Sequence, residues 1–176
     1  ELMNKIIKKY QYYILTIGLI LVLSFSRIIP HPSNFTPILA VGIFAGFYFK
    51  NFVLSFFIVI LSMFLGDLYL GLHNTMFFTY TSLLAAVLLG MIIKHFKTKE
   101  ILFSGLISSI VFFVITNFGV WAISGMYEKN FSGLVQSYFM AIPFFHNTLI
   151  STLLYLFVLK FLFEFANRNK LIKYHI

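Results

Sequence analysis

The chain contains no cysteine and only five acidic residues. Without cysteine it can form no disulfide, no thiolate metal site and no cysteine nucleophile. It also lacks a GxxxxGK[ST] motif, which excludes a phosphate-cradling ATPase loop within this sequence. Charged residues of both signs make up only 10% of the chain, whereas they make up about a quarter of an average soluble domain. The composition therefore excludes an ordinary soluble domain.

Apolar residues dominate instead: 60% of the chain is hydrophobic and the mean hydropathy is +0.94. Runs of about 17–25 apolar residues, each able to cross a ~30 Å hydrocarbon core, recur along the whole length. We expect one integral membrane domain covering residues 1–176, with the lipid bilayer as its surroundings. The net charge of +8 does not indicate nucleic-acid binding, because the lysines lie between apolar runs instead of forming one basic face.

Polar and proline-containing breaks divide the chain into an all-α bundle of six predicted transmembrane helices. The predicted helices cover residues 11–29, 35–49, 52–72, 76–93, 101–124 and 144–165. Residues 131–141 are expected to form a separate short amphipathic segment, because Pro143 follows and proline interrupts a helix. The first run is interpreted as a helix and not as a signal peptide, since Arg27-Ile28-Ile29-Pro30 does not resemble a small-residue cleavage site.

The distribution of Lys and Arg predicts the orientation of this bundle. In the six-helix layout Arg27 and Lys129 lie on one side, and Lys160 falls within helix 6. The other side collects the remaining ten, which are Lys5, Lys8, Lys9, Lys50, Lys94, Lys97, Lys99, Arg168, Lys170 and Lys173. By the positive-inside rule, both termini are expected in the cytoplasm, as in a multi-pass protein of the cell (inner) membrane.

Polar side chains of the predicted helices concentrate at the outward end. Asp67 is the only acidic residue between Glu1 and Glu100, and a bare carboxylate at bilayer depth costs about 2.5–3.5 kcal/mol. A cationic partner, a water-filled vestibule or a bound ligand must offset this cost. The residues predicted to bind a small-molecule substrate are Arg27, Asn34, Asp67, His73, Asn74, Asn117, Trp121, His146 and Asn147.

Structural alternatives remain open for most of these residues. Arg27 and Asp67 are as well explained by a structural ion pair. Asn117 is also explained by a hydrogen bond between helices, which is the commoner use of an intramembrane asparagine. Trp121 fits an interfacial aromatic belt.

The histidines in this set have their own alternatives. His73 and Asn74 would also fit helix caps. His31, His73 and His146 are the only weak indication of a metal site, because no close-spaced pair such as HxxxH occurs. No metal or other cofactor is predicted.

Two further patterns suggest other classes of function. Gly42 and Gly46 form a GxxxG spacing that lets another helix approach closely, either within the bundle or on a partner protein. A non-catalytic accessory subunit of a larger membrane complex is therefore the alternative function. An intramembrane serine protease using Ser124 and His146 is a weaker alternative, because Ala122-Ile123-Ser124-Gly125 lacks the first glycine of a GxSG motif. The protein is not expected to be an enzyme.

Several motifs resemble the substrate-binding S components of energy-coupling-factor (ECF) vitamin transporters. They are the opening of helix 2 at Asn34-Phe35-Thr36-Pro37, the small-residue stretch 40–46, and Gly66-Asp67 at the outer end of helix 3. The resemblance implies a six-helix protein that captures a small water-soluble nutrient, a vitamin or its precursor, in an outward pocket. It also implies a transmembrane coupling subunit with ATPases as a partner. Because the AxxxA pair of S components is missing from helix 1, a solitary transporter remains the other expectation.

Three longer stretches are similar to an uncharacterised bacterial family of small membrane proteins with the same S-component-like layout. These stretches are residues 30–37, Gly71-Leu72-His73-Asn74-Thr75-Met76 and Thr116-Asn117-Phe118-Gly119-Val120-Trp121. This resemblance covers nearly the whole chain and implies the same outward pocket.

Overall fold

A computed structural model describes residues 2–168, with side chains described from Tyr10 onward except Tyr12. The described residues form six α-helices: α1 (Leu2–Ile28), α2 (Ile38–Phe49), α3 (Phe52–Leu70), α4 (Met76–Ile92), α5 (Thr98–Ile123) and α6 (Phe131–Arg168). The all-helical class predicted from the sequence is confirmed for this part of the chain. Five residues of the positive-inside argument lie outside the described side chains, namely Lys5, Lys8, Lys9, Lys170 and Lys173.

Three of the helices are long and apolar enough to cross a membrane, namely α3, α5 and α6. The apolar part of α1, Tyr13–Ile28, and the helices α2 and α4 are apolar but shorter. At 1.5 Å per residue, the 12 residues of α2 extend only about 18 Å. This helix is therefore much shorter than a ~30 Å hydrocarbon core.

The helix α2 forms the centre of the bundle. All its residues from Ile38 to Phe47 are buried, and so is Phe49. Glycines bring α4 against it: a Cβ on Gly46 would collide with the Val87 backbone, and a Cβ on Gly90 would collide with the carbonyl of Ile43. Gly42 also faces this helix, because its Cβ would lie 3.3 Å from the Cβ of Ala86. The GxxxG spacing thus serves the contact between α2 and α4.

The helix α2 begins later than the sequence predicted, at Ile38 instead of Phe35. Asn34 has a left-handed backbone with φ 62°, and Thr36 precedes Pro37, where the helical region is disfavoured. Pro37 occupies the N-cap position, and its carbonyl accepts the hydrogen bond from Val41 N at 2.9 Å. Residues 29–37 therefore form a longer connector than expected.

The prediction of a separate segment at residues 131–141 is wrong, because α6 runs without interruption from Phe131 to Arg168 and contains Pro143. Asn130 caps its start, with Oδ1 accepting a hydrogen bond from Gly133 N at 2.8 Å. A proline removes only one hydrogen bond of the helix and is tolerated in apolar helices where local adjustments satisfy the freed carbonyl. The capped start and the apolar surroundings outweigh the break.

The two ends of the bundle differ in chemistry. At the end where α2 finishes, the rings of Phe47 and Phe96 stack with centroids 4.8 Å apart, and Phe163 packs edge-on against Phe47 at 5.6 Å. The Lys50 ammonium donates to the last turn of α4, at Met91 O (2.8 Å) and Ile93 O. This end is filled by aromatic side chains and capped by a cation. The opposite end, where α2 begins, contains a cavity.

Candidate functional site

The site is built around an ion pair between the ends of α1 and α3. Nη2 of Arg27 lies 2.6 Å from Oδ1 of Asp67, and the two side chains are 15% and 1% exposed. The approach is close but is not aligned as a hydrogen bond, whereas Nη1 of Arg27 donates to Met63 O at 2.7 Å. The sequence argument that Asp67 requires a partner is thus met by Arg27.

The second carboxylate oxygen of Asp67, Oδ2, faces side chains of α4 and of the connector that precedes it. The Tyr80 hydroxyl donates to Oδ2 at 2.7 Å, and Nε2 of His73 lies 3.8 Å from the same oxygen. Nδ1 of His73 in turn contacts Oγ1 of Thr75 at 2.9 Å. Asp67 therefore holds three neighbouring side chains in place and leaves no free oxygen for a ligand.

A cavity of about 350 Å³ lies beside this ion pair. Its volume is at the lower end of the roughly 300–1,000 Å³ range of small-molecule sites. Ile38 and Leu39, the first residues of α2, line it together with side chains of the connector 29–37 and of α1, α3, α5 and α6. The cavity occupies the space left at one end of the bundle because the central helix is short.

The lining combines hydroxyl groups with aromatic rings. Six of the nine threonines of the chain line the cavity, namely Thr36, Thr75, Thr79, Thr116, Thr148 and Thr152. Four phenylalanines also line it, namely Phe112, Phe113, Phe144 and Phe145. None of these residues was predicted from the sequence to belong to the site. Their one signal was the concentration of threonine at one end of the predicted bundle, since threonine and phenylalanine also fit ordinary helix packing.

Four of the predicted site residues line the cavity: Arg27, Asn34, His73 and Asn117. His31, considered only as a weak metal ligand, lines it as well. The amide of Asn117 donates to Phe113 O, one turn earlier in its own helix, at 2.8 Å. Whether these side chains bind a substrate stays a prediction, but the structure brings them together around one space.

The other predicted residues lie elsewhere. Asn74 is exposed, and His146 is exposed with Nδ1 in contact with Ile142 O of its own helix at 2.9 Å. Asn147 donates to Ser33 O at 3.0 Å. The Ser151 hydroxyl reaches Asn34 O at 3.4 Å. Asn147 and Ser151 thus fasten the connector 29–37 to α6.

Trp121 organises the loop between α5 and α6. Its Nε1 donates to Glu128 O at 2.9 Å, and the Lys129 ammonium lies 5.7 Å from the ring centroid and donates to Trp121 O. In this conformation the indole contacts its own loop, and it does not line the cavity described above. The position fits the structural alternative, an aromatic residue at the end of the bundle.

Residues that would indicate other chemistry are not brought together. Among the described residues no group of three His, Cys, Asp or Glu side chains could hold a metal ion. The Ser124 hydroxyl donates to Val120 O at 2.6 Å and accepts from Met126 N at 3.2 Å. The cavity beside the ion pair is therefore the candidate site that the geometry favours.

Comparisons with known proteins give a family but no activity. Neither the search of curated proteins nor the search of solved structures found a match. A family profile does match, and it covers residues 8–174, nearly the whole chain. The chain belongs to DUF6580, a family of unknown function.

Proposed function

We propose that the protein is a membrane-embedded substrate-capture protein that takes up a small water-soluble nutrient. The observation that carries this proposal is the cavity of about 350 Å³ at the end of the bundle where α2 begins. The cavity is lined by hydroxyl, amide, imidazole and guanidinium groups. Polar groups of this kind, placed among apolar side chains in a concave site, are typical of sites that bind a small polar ligand.

The proposal includes six membrane spans with both termini in the cytoplasm. The lysines of the two connectors at the opposite end from the cavity support this orientation, because Lys50, Lys94 and Lys97 are exposed there. The short α2 is compatible with six spans, because it is surrounded by the other helices and needs no full-length contact with lipid. In this orientation the cavity opens to the outside of the cell.

The resemblance to ECF S components supports the same proposal. It would make the cavity the outward pocket for a vitamin or its precursor, with uptake energised by a coupling subunit and ATPases or achieved by the protein alone. The accessory-subunit alternative loses one of its arguments, because Gly42 and Gly46 face α4 and are not available to a partner helix. A sealed subunit would also have no use for a polar cavity.

The orientation can be tested directly because the chain has no cysteine. Glu128→Cys and His95→Cys place single thiols on the connectors after α5 and after α4, both at exposed positions. A membrane-impermeant maleimide applied to intact cells should label the first variant and leave the second unlabelled until the cells are opened. The reverse pattern would reject the proposed orientation.

Substrate capture is tested by native mass spectrometry of the purified protein for a retained small molecule. Thr116→Phe fills the cavity from α5 and should abolish retention. Val114→Phe adds a similar volume on the same helix at an exposed position and is the matched control. Equal retention by both variants, or no retained molecule and no uptake phenotype for the unaltered protein, would contradict the proposal.

A further inference from the structure

The charge of the cavity wall restricts the ligand that the proposed function would require. Arg27 is the one Lys, Arg, Asp or Glu side chain that lines the cavity among the described residues. Asp67 does not offer its carboxylate, because it is 1% exposed and its two oxygens face Arg27 and Tyr80. Asp67 neutralises Arg27 from behind, but of the two groups only the guanidinium lines the cavity, so an anionic ligand meets N–H donors there and a cationic ligand meets no carboxylate.

Arg27 is held rigidly and still has donors to offer. A guanidinium carries five N–H donors in a planar fork that matches a carboxylate. One N–H of Arg27 donates to Met63 O, and Nη2 makes the ion pair with Asp67. The guanidinium lines the cavity, so its remaining donors are the ones that a ligand oxygen would use.

The start of α2 favours a negative charge at the same place. Ile38 and Leu39 belong to its first turn and line the cavity, and no side chain caps this helix. The free N–H groups and the dipole at a helix N-terminus stabilise an anion. Arg27 and the α2 N-terminus are independent features of the fold that favour the same kind of ligand group.

The side of the cavity that α5 and α6 form carries aromatic rings. Phe113 and Phe145 pack with their ring centroids 5.1 Å apart at an angle of 57°, and Phe112 and Phe144 line the same cavity. Phenyl rings of this kind favour a planar ring as their neighbour. The aromatic side thus faces the body of a ligand, while its charged group lies near Arg27.

Thr152 supplies a separate indication that a ligand completes the site. It lines the cavity and is 1% exposed, yet its Oγ1 has no hydrogen-bond partner. Thr116 and Thr148, which line the same cavity, donate instead to Phe112 O at 2.7 Å and to Phe144 O at 2.9 Å. A buried hydroxyl left unpartnered is rare in proteins, and rotation of the Thr152 side chain toward the cavity would let Oγ1 bond to a ligand there.

We propose that the cavity binds a small monocarboxylate that carries a planar ring, with the carboxylate at Arg27 and the α2 N-terminus and the ring against the phenylalanines of α5 and α6. This inference rests on the proposed capture function and names its substrate class. A carboxylate is favoured over a doubly charged phosphate because Arg27, the one guanidinium among the described residues that line the cavity, already carries one ion pair.

The test uses purified protein and probes that differ in a single group. 2-Naphthoate, 2-naphthamide and 2-naphthylmethylammonium share the planar naphthalene ring system and carry charges of −1, 0 and +1. Decalin-2-carboxylate keeps the carboxylate and replaces the planar ring system by a saturated one. Affinities are measured by ligand-dependent thermal stabilisation. 2-Naphthoate should bind at least about tenfold more tightly than the ammonium compound and more tightly than decalin-2-carboxylate.

Two variants link the preference to the named groups. The double variant Arg27→Gln, Asp67→Asn removes both charges together, which avoids an unpaired buried charge, and should reduce the preference for naphthoate over naphthamide to the part that the α2 N-terminus supplies. Thr152→Val should weaken naphthoate binding by about 2- to 10-fold and should not lower the unfolding temperature of the ligand-free protein. A preference for naphthoate that is as large in the double variant as in the unaltered protein would overturn the role of Arg27.

The outcomes separate this inference from the proposed function. Binding of the ammonium compound as tightly as naphthoate, or a retained cellular molecule that is a cation, would overturn the substrate class and leave capture standing. Binding of decalin-2-carboxylate as tightly as naphthoate would overturn the planar ring. Failure of every probe to bind, together with no retained molecule in native mass spectrometry, would overturn both.

Discussion

A Cβ atom placed on Gly66 would lie 2.5 Å from Nη1 of Arg27. The guanidinium at the end of α1 therefore rests directly against the backbone of α3, one residue before the carboxylate that it pairs with. The absence of a side chain at position 66 is what allows the 2.6 Å approach of Arg27 to Asp67. The position of Arg27, the one Lys or Arg that lines the cavity in the described part of the chain, thus depends on a glycine.

Gly66→Ala should consequently displace Arg27 and destabilise the protein. Overpacking of a tight site costs roughly 1–3 kcal/mol, and the displaced guanidinium would also weaken the ion pair. Gly18→Ala in α1 is the control, because a Cβ there would meet nothing within 4 Å and should stabilise the helix by up to about 1 kcal/mol. Unfolding of both variants in detergent measures the difference. Equal stability of the two variants would contradict the contact.

The Arg27–Asp67 pair should behave as one buried unit. Arg27→Gln or Asp67→Asn alone leaves a buried charge without its partner, which costs about 3–5 kcal/mol. The double variant should cost much less than the sum of the two single variants, because no charge remains unpaired. Free energies of unfolding for the four proteins give the coupling directly.

The four proteins form a double-mutant cycle. The pair Lys160 and Glu164 on α6 provides the comparison for this cycle. It is an i,i+4 pair whose side chains are 21% and 44% exposed. Such pairs contribute only about 0.3–0.5 kcal/mol, so the same cycle with Lys160→Gln and Glu164→Gln should show little coupling. A coupling for Arg27 and Asp67 as small as this one would mean that the carboxylate is solvated, contrary to its 1% exposure.

Tyr80→Phe should weaken the structure through Asp67. Its hydroxyl donates to the carboxylate at 2.7 Å, and hydrogen bonds to charged groups contribute about 1.5–3 kcal/mol. Tyr138→Phe is the matched control, because the Tyr138 hydroxyl donates to a neutral carbonyl, Val114 O, at 2.9 Å, and that loss should cost only about 0.5–1.5 kcal/mol. Thermal unfolding of the two variants measures both. A larger loss for Tyr138→Phe would argue against a charged Asp67.

The sequence predicted helices best where a polar break coincides with a helix end. The ends of α2 at Lys50 and of α4 near Lys94 follow this rule. The helix boundaries predicted near Pro37 and Pro143 were wrong, for opposite reasons. Pro37 delays the start of α2 because Thr36 before it cannot adopt a helical backbone easily. The helix α6 continues through Pro143 because a proline removes only one hydrogen bond of an apolar helix.

The site could be predicted only where a residue was costly to bury. A carboxylate in an apolar helix requires something that offsets its charge, so a partner for Asp67 was predicted, with Arg27 as one of the alternatives. The threonines and phenylalanines carry no such cost, and the sequence therefore did not distinguish cavity residues from packing residues. The volume of the cavity depends on the length of α2 relative to its neighbours, which is a property of the assembled bundle.

His146 illustrates why a polar residue in the right half of a helix need not reach the site. Successive residues of a helix differ by about 100° in direction, so His146 shares a face with Ile150 and Leu154, which are exposed. Phe145, Thr148 and Thr152 occupy the face that lines the cavity. Depth in the membrane was predicted from the sequence, but the direction of the side chain was not.

His146→Ala should therefore leave the binding of the retained small molecule unchanged, while His73→Ala should weaken it. His73 lines the cavity and is oriented by Thr75 Oγ1 at 2.9 Å, and loss of one hydrogen bond to a ligand corresponds to about 2- to 10-fold in affinity. Both substitutions remove an imidazole from the same end of the bundle, so each controls for the loss of the other. The occupancy of the molecule in native mass spectra of the two variants is the measurement. Weaker retention in His146→Ala together with unchanged retention in His73→Ala would place the binding site outside the cavity, on the exposed face of α6.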